Sequence, residues 1–148
     1  MANYRNILIA GALLLCFMYG SAWAEEYKIL NIEPGNYEFT ETSSSTQDSE
    51  EVVKKIDRCV KDAKLDPAGE MARKDQCEVS NYKSKGNTLS FDFLCKNVKA
   101  STSVSGSLEF SASGKEISWK KVVRTEIAEG QEFSIKSAGK AVRKGDCS

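Results

Sequence analysis

Four cysteines behind an N-terminal leader, Cys59, Cys77, Cys95 and Cys147, constrain this chain more than any other feature. The leader reading rests on residues 1–24. Arg5 gives a positive start, Ile7 to Tyr19 is almost wholly apolar, and Ser21-Ala22-Trp23-Ala24 ends in the small-x-small pattern that signal peptidase reads. The apolar run is shorter than the roughly 20 residues a spanning helix needs. Cys16 sits behind Leu14-Leu15, which lack the small residues of a lipid-attachment site, so it is expected to leave with the leader. Residues 25–148 are then one exported domain without a membrane span. Thiols oxidise outside the cytoplasm, so four cysteines there predict two disulfides.

Composition removes several functions. There is no histidine. Ser-His-Asp and Cys-His catalytic arrangements are therefore impossible, and the commonest metal ligand is missing. The cysteines form no Cys-x-x-Cys pair, so neither a zinc site nor any other metal or cofactor is expected. The 21 basic and 21 acidic residues balance. Nucleic acid is not an expected partner, because no excess positive charge exists to displace counterions. The balance hides a gradient, acidic from Glu25 to Glu51 and basic from Ser111 onward. The plain reading is that the two ends of the chain attract each other across neighbouring strands.

The hydropathy pattern reads as an all-β domain. Asn36-Tyr37-Glu38-Phe39-Thr40 alternates as a half-buried strand, and Thr42 to Ser49 is polar enough for a long loop. Glu51 to Val60 fits either a helix or a strand. Lys61 to Gln76 contains Pro67 and Gly69 and predicts a short helical or irregular segment. From Cys77 to residue 142 the pattern is an antiparallel meander of five strands. A loop at Lys85-Gly86-Asn87 sets Cys77 against Cys95 and Val79 against Phe93. Leu89, Phe91, Phe93 and Cys95 then share one face, and a slip of one residue would separate the sulfurs. A turn at Ser113-Gly114 pairs Phe110 with Ile117, Leu108 with Trp119 and Val104 with Val123. A loop at Ala128-Glu129-Gly130 pairs Thr125 with Phe133 and Val123 with Ile135. The apolar side must be covered. The Tyr37/Phe39 strand and the 51–60 segment are expected to do so, in a curved sheet or barrel of six to seven strands.

Several segments are similar to one family. Glu33-Pro34-Gly35-Asn36-Tyr37-Glu38 resembles its opening Pro-Gly-x-Trp-Glu, with Tyr for Trp. Cys59-Val60-Lys61-Asp62-Ala63 resembles a longer Cys-Leu-Thr-Pro-Glu-Asp-Ala. Cys77-x-Val79, Gly86-Asn87-Thr88-Leu89-Ser90-Phe91 and Cys95 resemble its central hairpin, and Ser105 to Phe110 its next strand. Gly145-Asp146-Cys147 matches its terminal Gly-Asp-Cys. Together these resemble the exported bacterial family called domain of unknown function 3617. The resemblance implies a strand at 51–60 and a periplasmic location, and it brings no chemistry. With Cys77 set against Cys95, Cys59 is left for Cys147, although four cysteines allow three connectivities.

The candidate site residues are Trp119, Lys121 and Phe91. Lys121 interrupts the apolar row Ile117-Trp119-Lys121-Val123, and the expected registers place Gly106 and Ser137 beside it. A lysine among small residues can anchor the polar end of a lipophilic ligand. It can equally lie at a rim and hold its ammonium in water. Asp57, Asp62, Asp66 and Glu70 are interleaved with lysines and read as a solvated segment. The expectation is a non-catalytic domain. It binds either a small apolar or amphiphilic ligand on its concave face, or another exported protein through a sheet edge or its polar face.

Overall fold

The structure is a computed structural model and describes residues 26–48, 50–97, 101–127 and 130–148. The leader at 1–24 and the loop residues Ala128 and Glu129 lie outside the described residues. The elements in chain order are β1 (Leu30–Asn31), β2 (Gly35–Ser45), β3 (Val52–Val60), β4 (Lys64–Leu65), α1 (Pro67–Ala72), β5 (Cys77–Lys85), β6 (Thr88–Asn97), β7 (Thr102–Ser113), β8 (Glu116–Ile127) and β9 (Gln131–Gly145). Seven of the strands form one antiparallel sheet in the order β3-β2-β9-β8-β7-β6-β5. Its two edges, β3 and β5, do not meet, so the sheet is open and the barrel alternative fails.

Alternation places the apolar side chains of β5 to β9 on one face, in cross-strand rows. One row is Phe39, Ala141, Ile117 and Ala112. The next is Glu41, Gly139, Trp119, Phe110 and Leu89, followed by Ser43, Ser137, Lys121, Leu108 and Phe91. A further row holds Ile135, Val123, Gly106, Phe93 and Val79. Tyr37, Leu89, Phe91, Ile117 and Ala141 are buried there.

The cover for this face differs from the expected one. β2 and β3 do not fold over the apolar side, because β2 pairs with β9 and continues the sheet. The polar run at Thr42–Ser45 is strand rather than loop, since its backbone pairs with both β3 and β9. The cover is instead the small β1–β4 sheet and α1. Leu30, Ile32 and Ala68 from this layer are buried in the same cluster as Leu89 and Phe91. Burying a Leu or Ile side chain of this kind contributes about 1.5–3 kcal/mol. α1 starts where Asp66 accepts the Gly69 amide at 2.9 Å, with Pro67 in the first turn. The Tyr37 hydroxyl fastens the layer by donating to the Glu33 carbonyl at 2.6 Å and lying 3.2 Å from the Gly114 carbonyl. Burial pushes this phenol's pKa up, against the nearby Arg143 charge, which keeps it a donor.

Two hairpins correct the expected registers. β7 and β8 turn through Gly114-Lys115, so Phe110 faces Trp119, Leu108 faces Lys121 and Gly106 faces Val123. Every expected pair is shifted by two residues, which keeps the faces and changes the partners. Gly114 has φ +57°. A glycine at the first loop position supplies the positive φ that a two-residue hairpin needs there, and Ser113 would be strained in that place. β5 and β6 likewise turn through Gly86-Asn87 rather than a three-residue loop. A bulge at Asn81-Tyr82, with Asn81 at φ +50°, then restores Cys77 opposite Cys95 and Val79 opposite Phe93. The β8–β9 register sets Thr125 against Phe133 and Val123 against Ile135, as the sequence predicts.

Disulfides join Cys77 to Cys95 and Cys59 to Cys147. The acidic start of the chain lies beside its basic end. Glu38 on β2 takes Lys55 of β3 at 3.0 Å and Lys144 of β9 at 3.2 Å. Hydrogen bonds from Lys55 and then Lys144 hold the Glu38 carboxyl below the ordinary glutamate range. A carboxyl depressed in the folded state stabilises above its unfolded pKa, and that contribution is lost as pH falls through the folded value. Glu38→Gln is therefore expected to make the acid side of the stability profile shallower. Urea midpoints followed from neutral pH into acid check this, and parallel profiles for the two proteins would refute it.

Candidate functional site

The layer of β1, β4 and α1 leaves part of the apolar face open. Beside the segment from Arg58 to Leu65 lies a cavity of about 670 Å³. Its floor is built by alternate residues of three strands. β2 gives Phe39 and Glu41, β7 gives Leu108 and Phe110, and β8 gives Ile117, Trp119 and Lys121. Arg58 and Val60 at the end of β3 flank the floor, and Lys61, Asp62 and Leu65 of the segment after β3 close that side, with Val60 and Leu65 as the apolar contributions.

Gly139 on β9 shapes this floor. It lies between Glu41 and Trp119 in the cross-strand row. A Cβ there would meet the Trp119 ring and lie 2.8 Å from the Thr40 carbonyl. With no side chain at 139, the indole lies across β9 and reaches β2. Its Nε1 donates to Glu41 Oε2 at 3.1 Å. Lys121 Nζ approaches Glu41 Oε1 at 3.3 Å. Phe39 packs beside the indole, with ring centroids 6.1 Å apart and planes tilted by 45°. Glu41 thus collects both polar groups of the floor, and its strand partner on β3 is Lys54.

This geometry places the three sequence-predicted residues differently. Trp119 and Lys121 line the cavity together. Lys121 has Leu108 and Ser137 as strand neighbours, not Gly106. Phe91 is not among the cavity residues and is 2 % exposed, within the buried cluster. Glu41 was not anticipated. Its signal is the continued alternation Tyr37, Phe39, Glu41, Ser43, which the polar composition of the stretch hides. Arg58 and Lys61 of the same lining were read only as members of a solvated charged run.

The opposite face of the sheet carries a trough of about 640 Å³. Two cross-strand rows border it, one through Lys120, Glu109, Ser90 and Lys83, the other through Lys136, Val122, Ser107 and Asp92. Its walls are mostly hydroxyls and charges of alternating sign. Ligand cavities are usually apolar with a few placed polar groups, a description the first cavity meets better. Ser137, 6 % exposed, keeps its Oγ without a hydrogen-bond partner.

Among the described residues no group of three or more His, Cys, Asp or Glu is arranged to hold a metal ion. No helix among them is long and apolar enough to cross a membrane. No curated protein and no solved structure matches this chain. The family model described as protein of unknown function (DUF3617) matches residues 32–147, from the end of β1 to the final cysteine, and the chain belongs to that family.

Proposed function

We propose that this protein is an exported, non-catalytic binding module that holds a small apolar or amphiphilic molecule in the cavity beside Arg58–Leu65. One observation carries the reading. The cavity of about 670 Å³ has an apolar floor with a single polar cluster, Glu41 with Trp119 and Lys121. Volumes of roughly 300–1,000 Å³ lined in this way are usual for small-molecule sites. The two disulfides fit an oxidising compartment such as the periplasm.

Trp119 stands on the cavity floor, so its fluorescence reports occupancy. Titration with dodecanol is expected to shift that emission saturably. Filling the cavity with Leu108→Phe and Val60→Phe together is expected to weaken the response at least tenfold. An emission spectrum unchanged up to the solubility limit of dodecanol would overturn the proposal.

A second reading has its own observation. β3 is an outermost strand, with Val52 60 %, Val53 65 % and Ile56 41 % exposed. Such an edge can accept an extended segment of another exported protein. Native mass spectrometry of protein taken from its own compartment separates the two readings. A protein adduct lost in Lys55→Pro would support the edge, and a retained small molecule unaffected by that change would support the cavity.

A further inference from the structure

The lysine of the apolar row is the obvious anchor for a ligand headgroup, but Lys121 is already engaged. Its ammonium lies 3.3 Å from Glu41, whose other oxygen takes the Trp119 Nε1 at 3.1 Å. The floor is therefore close to electrically neutral, and a second anion placed there would compete with Glu41. The side closed by the end of β3 differs. Arg58 and Lys61 line the same cavity, and neither has an ion pair among the described residues. Asp62 is the acidic residue of this side of the lining, so the side carries an excess positive charge. Lys54 on β3, the strand partner of Glu41 on β2, does not line the cavity. The Cys59–Cys147 bridge lies between these two cations in sequence and holds this end of β3 to the end of the chain.

The cavity thus has an apolar floor, a neutralised polar group within it and a cationic mouth. We propose that its ligand is an amphiphile with an anionic head, a single alkyl carboxylate or phosphate, whose head sits between Arg58 and Lys61 and whose chain lies over Phe110, Ile117 and Trp119. This deepens the binding-module reading and rests on it. Arg58 suits the role because a guanidinium presents a planar fork that matches a carboxylate or phosphate, and Lys61 supplies a second point charge. Part of that gain is screened by salt, since the mouth is open to solvent.

The test uses the disulfide-intact protein, Trp119 emission and two probes of equal chain length, dodecanoate and dodecanol, at neutral pH and below their aggregation thresholds. Dodecanoate is expected to bind at least tenfold more tightly than dodecanol, with the difference shrinking as salt is added. Arg58→Gln with Lys61→Gln is expected to remove the preference, weakening dodecanoate at least tenfold more than dodecanol. Dodecyl phosphate in place of dodecanoate distinguishes the two head chemistries, and the tighter of them names the ligand class. Equal binding of dodecanoate and dodecanol overturns the head assignment while the cavity reading stands. A preference that survives in the double variant but disappears in Lys121→Gln also overturns it, returning the anchor to the floor. Failure of every alkyl probe overturns the cavity reading itself.

Discussion

Replacing Cys59 and Cys147 together by serine is expected to lower the free energy of unfolding by about 4–5 kcal/mol. The bridge closes a loop with a sequence separation of 88 residues, against 18 for Cys77–Cys95. On the chain-entropy account the shorter loop contributes only about 3 kcal/mol. The position of the long-range bridge adds to its importance. Cys59 lies on β3, opposite Asn36 of β2, and Cys147 follows the end of β9, whose Gly145 also faces Asn36. The bond therefore reaches across the start of β2 and ties an outermost strand to the chain terminus. β3 buries none of its side chains, and only Val60 is even partly covered. It has little apolar contact to hold it in place. Loss of this bridge should let β3 exchange its amides quickly while β6 to β8 stay protected. Urea denaturation of the two double-serine variants, with hydrogen exchange on each, measures both effects. The argument fails if the Cys77/Cys95 variant is the less stable, or if β3 stays as protected as the centre of the sheet.

The faces of the meander were legible because alternation has a period of two. Any register that preserves parity puts Leu89, Phe91, Phe110, Trp119 and Val123 on one side. Parity does not choose among registers that differ by two residues, and there the turn decides. Gly114 takes the first loop position, which moved every β7–β8 partner. At β5–β6 the two-residue turn at Gly86-Asn87 and the bulge at Asn81 offset each other, so the cysteine pair was recovered although the turn was not. The covering layer was legible only in part: a short helix was expected within Lys61–Gln76 and α1 lies there, but β1 and β4 were not foreseen. Leu30 and Ile32 are 2 % and 5 % exposed, yet they lie in Tyr27-Lys28-Ile29-Leu30-Asn31-Ile32, an apolar stretch too short to show a period, whose Ile29 is exposed. The site was read in half. An unexpected lysine on an apolar row marked the floor, but its partner Glu41 fell between the expected strand ending at Thr40 and the expected loop starting at Thr42. Sequence spacing also cannot show that Arg58 and Lys61 share a cavity with residues of β7 and β8.

Phe91 and Trp119 separate core from cavity, and their alanine variants should fail in different ways. Phe91→Ala is expected to cost about 3–5 kcal/mol, the usual range for removing a buried aromatic ring. Phe91 is 2 % exposed, in one cluster with Leu89, Phe93, Leu30 and Ala68. The void left by its ring is enclosed on the sheet side by Leu108 and by the backbone of β6, so neighbouring side chains can fill little of it. Trp119 is half-buried, and one side of its ring faces the open cavity. Its removal enlarges a space that solvent already reaches, so Trp119→Ala should destabilise less than Phe91→Ala. It also takes away the floor of the cavity and one of the two groups on Glu41. Calorimetric titration with dodecanol, which needs no fluorophore, should then show affinity at least tenfold weaker for Trp119→Ala. The folded fraction of Phe91→Ala should bind within about twofold of the unmodified protein, because Phe91 does not line the cavity. The opposite pattern, a mild stability loss at Phe91 with a large affinity loss, would move the binding surface to the β6 side of the face.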